Sequence, residues 1–156
     1  LSASAEDVAA TTETNLGGTL QAIRALAPGM VARRRGHIVN IGSIMGLYPM
    51  SAAIYGATKG GIHMLGSTLR LELQGSGVRV SEVSPGRVQS EFFAANLKDP
   101  AGAEALNSAF KLLLPEDVAQ AVVFVLEAPA HVNVSMVELC AVEQIPGGVQ
   151  IAPLEG

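Results

Sequence analysis

The sequence predicts an α/β domain on a doubly wound parallel sheet, with the C-terminal portion present and the N-terminal strands absent. Three observations predict it. Short β-branched runs at 37–42, 78–83 and 135–142 alternate with long helical stretches, the pattern of βαβ units. Three strands are few for a parallel sheet, which normally has both faces covered. The run at 37–42 has the composition of an interior strand, yet nothing upstream can pair with its outer edge, and an open apolar edge invites aggregation. A single partial domain over residues 1–156 is therefore expected.

The elements follow in order. Residues 6–34 read as helical, interrupted at Asn15 and again at Pro28, which removes a backbone donor and should kink the helix after Ala27. Arg33-Arg34-Arg35 before Gly36 places cations at a helix end. His37-Ile38-Val39-Asn40-Ile41-Gly42 reads as a buried strand, and 53–74 as a long helix ended by Gly75 and Gly77. Val78 to Val83 forms the second strand, stopped by Pro85-Gly86. Residues 87–113 read as a loop with short helices. A helix starts near Pro115, with Glu116 and Asp117 in its first turn, and ends before Pro129; residues 135–142 form the third strand.

Composition excludes several classes. Hydrophobic residues make up 49% and charged residues 15% of the 156, and mean hydropathy is +0.36, too apolar for a disordered chain. That is also apolar for a freestanding domain of this size, so some apolar surface should meet another segment or subunit. A net charge of −4 does not favour nucleic acid. No apolar stretch has membrane-spanning length. Cys140 is the only cysteine, which fits a reducing, cytoplasmic setting; in the apolar run Met136–Val142 it reads as a small buried hydrophobe. His37, His63 and His131 show no ligand spacing, so no metal is expected.

Tyr55 and Lys59 stand four apart on the long helix, so both side chains leave one face. A nearby ammonium favours the phenolate and lowers the tyrosine pKa from about 10, which makes Tyr55 usable in proton transfer near neutral pH. Ser43, twelve residues earlier and directly after a strand end, can hold a substrate oxygen beside it. On spacing alone, a tyrosine and a lysine four apart are ordinary on a solvated helix face.

Context decides. Asn15-Leu16-x-Gly18, the strand Gly36 to Ile41, Ser43 with Gly46, Tyr55-x-x-x-Lys59, and Val78-Arg79-Val80 leading to Pro85-Gly86 occur in this order. The chain from Asn15 to about Val142 resembles the short-chain dehydrogenase/reductase family. Its end, through Leu114-Pro115-Glu116-Asp117-Val118-Ala119 and Ala130 to Val134, is similar to the family's NADP-using dehydrogenases of 3-hydroxy acids and serine.

The resemblance implies a Rossmann-like fold and an NAD(P)-dependent oxidoreductase that interconverts an alcohol and a ketone, with NADP slightly favoured over NAD. It implies Tyr55 as general acid/base, Ser43 as holder of the substrate oxygen and Lys59 on the nicotinamide ribose. Asn15 would hold a water that relays protons to Lys59. Pro85 and Gly86 would lie against the nicotinamide, with Val88 and Ser90 near its carboxamide; relatives often carry Thr where this chain has Ser90. Phe92 and Phe93 would belong to a substrate lid at about 87–113, and Met45, Leu47, Tyr48 and Met50 either line a pocket or pack. The partners implied are a small alcohol or carbonyl substrate and a second copy of the chain, as dimer or tetramer.

One departure is large. No Gly-x-Gly-x-x-Gly stands at a strand-to-helix turn, so the backbone donors for a pyrophosphate are lacking, and the chain alone is expected to bind a dinucleotide poorly. The competing reading is a non-catalytic dimerising or binding module using the helices at 6–34 and 53–74. A hydrolase built on Ser43 has little support, since Gly42 to Gly46 is not a Gly-x-Ser-x-Gly elbow.

Overall fold

The computed structural model describes residues 3–50, 52–91 and 111–145. Phe92, Phe93 and most of the expected lid lie outside the described residues. Helix α1 (Ala5–Thr12) starts at Ser4, whose side chain accepts from the Asp7 amide while Asp7 reaches back to the Ser4 amide. A π-helical turn over Glu13–Gly17 interrupts the helix at Asn15, as expected, and α2 (Gly18–Ala32) continues from it. Pro28 does not interrupt α2, which stays helical to Ala32. A proline near a helix end forfeits one ladder bond, here to the Arg24 carbonyl, and the turns around it hold.

Strand β1 (Gly36–Ile41), helix α3 (Ala53–Glu72), strand β2 (Val78–Pro85), helix α4 (Pro115–Glu127) and strand β3 (Met136–Leu139) complete the order. The sheet runs β1-β2-β3 with every pair parallel, Asn40 facing Glu82 and Val83 facing Val137. Among the described residues β1 is an edge strand, and Ile41 at its end is 47% exposed. β2 does not stop at Val83. It runs on through Pro85, and the Gly86 amide continues the ladder to the Leu139 carbonyl at 2.8 Å. β3 is shorter than expected, so Cys140 follows the strand and is half-buried beside Gly86 rather than a core residue.

Alternation along β2 divides its side chains between two layers. Glu82 meets His63 of α3, whereas Arg79 donates to the carbonyls of Leu126 and Ala128 at the end of α4. Helices therefore cover both faces, as a doubly wound sheet requires. Val80, Val83, Ile44, Ile62, Leu69 and Val125 form the centre of the core. Asp117 caps α4 by accepting from the Leu114 amide at 2.8 Å. Among the described residues, no helix is long and apolar enough to cross a membrane.

Candidate active site

The chemistry-bearing residues gather at the carboxyl ends of β1 and β2, where open α/β sheets bind their ligands. β1 leads through Gly42 into Ser43, which is buried, extended, and caps a short 3₁₀ turn (Ile44–Gly46) by accepting from the Met45 amide at 3.2 Å. That acceptor bond leaves the Ser43 hydroxyl hydrogen free to be given to Tyr55, and the two side chains are hydrogen-bonded. The turn lies directly on α3. A Cβ on Gly46 would stand 2.6 Å from the Lys59 carbonyl oxygen, so only glycine allows this approach.

α3 opens from Ala52 in the left-handed region (φ 67°), a conformation that costs energy for a residue with a side chain. The entry puts Tyr55 on the first turn and Lys59 one turn later. Lys59 Nζ donates to the Ile41 carbonyl at 2.9 Å and lies 5.7 Å from the centre of the Tyr55 ring. Ser43, Tyr55 and Lys59 are thus brought together as the sequence implied.

The electrostatics differ from the expectation. Burial raises the Tyr55 pKa above the usual phenol value, and the Ser43 bond pulls it part of the way back. The Lys59 ammonium, 5.7 Å from the ring centre, does not outweigh burial. Burial also lowers the Lys59 pKa, while the charge of Glu82 acts in the opposite sense.

Asn15 sits in the π-helical turn, and its Nδ2 donates to Thr58 Oγ1 at 3.1 Å; Thr58 in turn donates to the Tyr55 carbonyl at 2.8 Å. The Asn15 carbonyl accepts from the Thr19 hydroxyl at 2.8 Å. The side chain therefore ties the first helix to the turn of α3 that carries Tyr55 and Lys59. Pro85 and Gly86 close β2 on the same side of the sheet. A Cβ on Gly86 would run into the Gln144 side-chain oxygen and the Cys140 sulfur. Val88 forms a parallel bridge with Leu113, and Ser90 is exposed beyond it. Tyr48 points elsewhere, donating to Glu138 of β3 at 3.0 Å.

Sequence reasoning missed three residues here. Thr58 carries the Asn15 link. Glu82 is 2% exposed, accepting from Ser84 Oγ at 2.6 Å and pairing with His63 Nδ1 at 3.0 Å. The signal was present: a carboxylate in the middle of a strand run built on Val78, Val80 and Val83, and a histidine four residues beyond Lys59 on the same helix face.

The profile of the short chain dehydrogenase family matches residues 1–101. The chain belongs to that family. It is 40% identical over 154 residues to an NADP-dependent 3-hydroxy acid dehydrogenase of Salmonella typhi, covering 96% of this chain and 61% of that protein. The structure superposes on the closed form of a serine dehydrogenase complexed with NADP+ with a TM-score of 0.90, at 39% identity and over 97% of this chain and 62% of the other. A gluconate 5-dehydrogenase from Burkholderia cenocepacia, in complex with NADP and tartrate, matches with a TM-score of 0.74 at 26% identity, over 88% of this chain and 56% of that one. This short-chain dehydrogenase chain thus spans about three fifths of the length of the curated relatives it matches.

Proposed function

We propose that the protein carrying this chain is an NADP(H)-dependent oxidoreductase that interconverts a small 3-hydroxy acid and its ketone, with Tyr55 as the group that gives and takes the proton. The observation that carries this reading is the Tyr55–Ser43 hydrogen bond with Lys59 one turn away, at the carboxyl ends of parallel strands. The names of the relatives favour NADP over NAD and 3-hydroxy acids or serine as the substrate class.

The residues fit the nicotinamide half of the cofactor. Lys59 spends one N–H on Ile41 and retains two donors, which suit a ribose diol. Gly86 leaves the end of β2 without a side chain, and Pro85 before it is buried in the strand. Val88 and Ser90 would serve the nicotinamide carboxamide. The chemistry that NADP(H) would supply when bound is hydride transfer at the carbinol carbon.

The chain's own residues manage the oxygen. Ser43 turns its hydroxyl from Tyr55 to the substrate oxygen and holds it within reach of the phenol. In ketone reduction Tyr55 gives that oxygen its proton, and in alcohol oxidation it accepts the proton back. A phenol is protonated at neutral pH and burial raises the Tyr55 pKa further, which suits the donor role. Asn15, through Thr58, fixes the turn of α3 that carries both groups. Residues on α2 and α3 such as Leu26, Met64 and Leu71 are exposed, and a homo-oligomer formed through these helices belongs to the same reading. The intact set of Asn15, Ser43, Tyr55 and Lys59 speaks against a purely structural binding module.

Tyr55→Phe in the complete protein tests the reading, because it removes only the hydroxyl. Turnover followed by NADPH absorbance should fall by about 10²- to 10⁴-fold, with the circular dichroism spectrum unchanged. A variant that keeps a tenth of wild-type ketone reduction means that Tyr55 is not the proton donor.

A further inference from the structure

Glu82 lies at the centre of β2, the middle strand, and is buried to 2% exposure, yet the proton transfer described above does not use it. A carboxylate in such a place is costly unless it is hydrogen-bonded and paired. Both oxygens are engaged. Oε1 accepts from Ser84 at 2.6 Å and Oε2 pairs with His63 Nδ1 at 3.0 Å.

His63 is not an incidental partner. Tyr55, Lys59 and His63 follow at spacings of four, so they form one stripe along α3. Gly66 of the same helix lies near the carboxylate: a Cβ there would be in ordinary contact, 3.9 Å from Glu82 Oε2 and 3.7 Å from Asn40 Nδ2. On the strand side, Gly42 packs its Cα against the Glu82 carboxylate and the Ser84 hydroxyl, leaving no room for a side chain. Gly42 directly follows Ile41, whose carbonyl holds Lys59. The carboxylate thus lies under the turn that anchors the ammonium.

We propose that Glu82 is a positioning residue for Lys59: held by Ser84 and His63 beneath the Gly42 turn, its carboxylate is the counter-charge for the ammonium beside Tyr55. This rests on the oxidoreductase reading only for its catalytic consequence. The charge of Glu82 opposes the effect of burial on Lys59. The groups around the carboxylate are His63, Lys59 and Arg70 from α3, Asn40 from β1 and Ser84 from β2. Arg70 directs its guanidinium to the Val80 and Ser135 carbonyls and to Ser67.

The test is a direct titration of Lys59 in the complete protein, with ¹³C-labelled lysine and the signal assigned by its loss in Lys59→Met. Glu82→Gln keeps the size and removes the charge, and should move the Lys59 midpoint down by about one unit, a tenfold change in its protonated fraction. Glu82→Asp keeps the charge one methylene further back and should move it less. It also serves if the glutamine variant does not fold. The high-pH limb of kcat/KM with NADPH should follow the same order. A Lys59 midpoint unmoved in the variants that fold overturns the proposal. A shifted midpoint in a protein without dehydrogenase activity upholds it and instead overturns the oxidoreductase reading.

Discussion

At the scale of single residues, Tyr55 and Lys59 are each moved by burial away from the charged form. For Tyr55, burial is the leading influence and the Ser43 bond the opposing one; for Lys59, burial leads and Glu82 opposes. A cation beside a phenol still favours the phenolate, though here more weakly than burial favours the phenol. The sign follows for Lys59→Met, which keeps the apolar stem. Without the ammonium the Tyr55 pKa rises further, so the deprotonated form needed for alcohol oxidation appears only at higher pH. The oxidation optimum should move upward and the cofactor KM should increase by about tenfold or more, as expected for the loss of charge-assisted hydrogen bonds to the ribose. A pH–rate profile superimposable on wild type would count against this role.

At the scale of elements, the site depends on one close contact, the 3₁₀ turn lying on the backbone of α3 at Gly46. In Gly46→Ala the new Cβ would meet the Lys59 carbonyl at 2.6 Å and the Gly60 amide at 3.0 Å, and neither is a flexible side chain that can move aside. The turn and the helix must separate, which should cost about 1–3 kcal/mol in chemical denaturation. Ser43 and Tyr55 sit on the two sides of that contact. A displacement near 1 Å between them should lower kcat by about a hundredfold. Wild-type kcat with wild-type stability would show that the turn is not what sets the site. The same element scale shows what the sequence made legible. The helix break at Asn15, the acidic first turn at Glu116 and Asp117 and the strand after Gly36 are local, and local chemistry reveals them. The extent of β2 was not legible, because Pro85 and Gly86 read as a stop while the Leu139 carbonyl, more than fifty residues on, extends the ladder to Gly86. The pairing of Glu82 with His63 is nonlocal too. The Tyr55–Lys59 spacing was visible, but the dominance of burial over the lysine charge depends on the packing around both groups, which no spacing encodes.

At the scale of the whole molecule, the sheet of the described residues ends at β1. Its residues make hydrogen-bonded partners with β2 on one side, and among the described residues no strand pairs with the other. Unpaired backbone groups along an apolar strand recruit other chains. The helices add to this, with Leu71 74% exposed, Met64 63% and Phe124 62%. Expressed by itself, the 156-residue chain should therefore associate into dimers or larger species. It should also bind NADPH without useful affinity. Lys59 and the Pro85-Gly86 turn can serve the nicotinamide end, but the sequence holds no Gly-x-Gly-x-x-Gly turn to present backbone N–H groups and a helix terminus to the pyrophosphate. A few contacts at one end do not offset the cost of ordering a long flexible dinucleotide. Sedimentation velocity and a fluorescence titration with NADPH examine the two halves of this expectation separately. A protein that sediments as one monomeric species and saturates at micromolar NADPH would show that the strand edge is protected and that phosphate donors lie elsewhere in these residues.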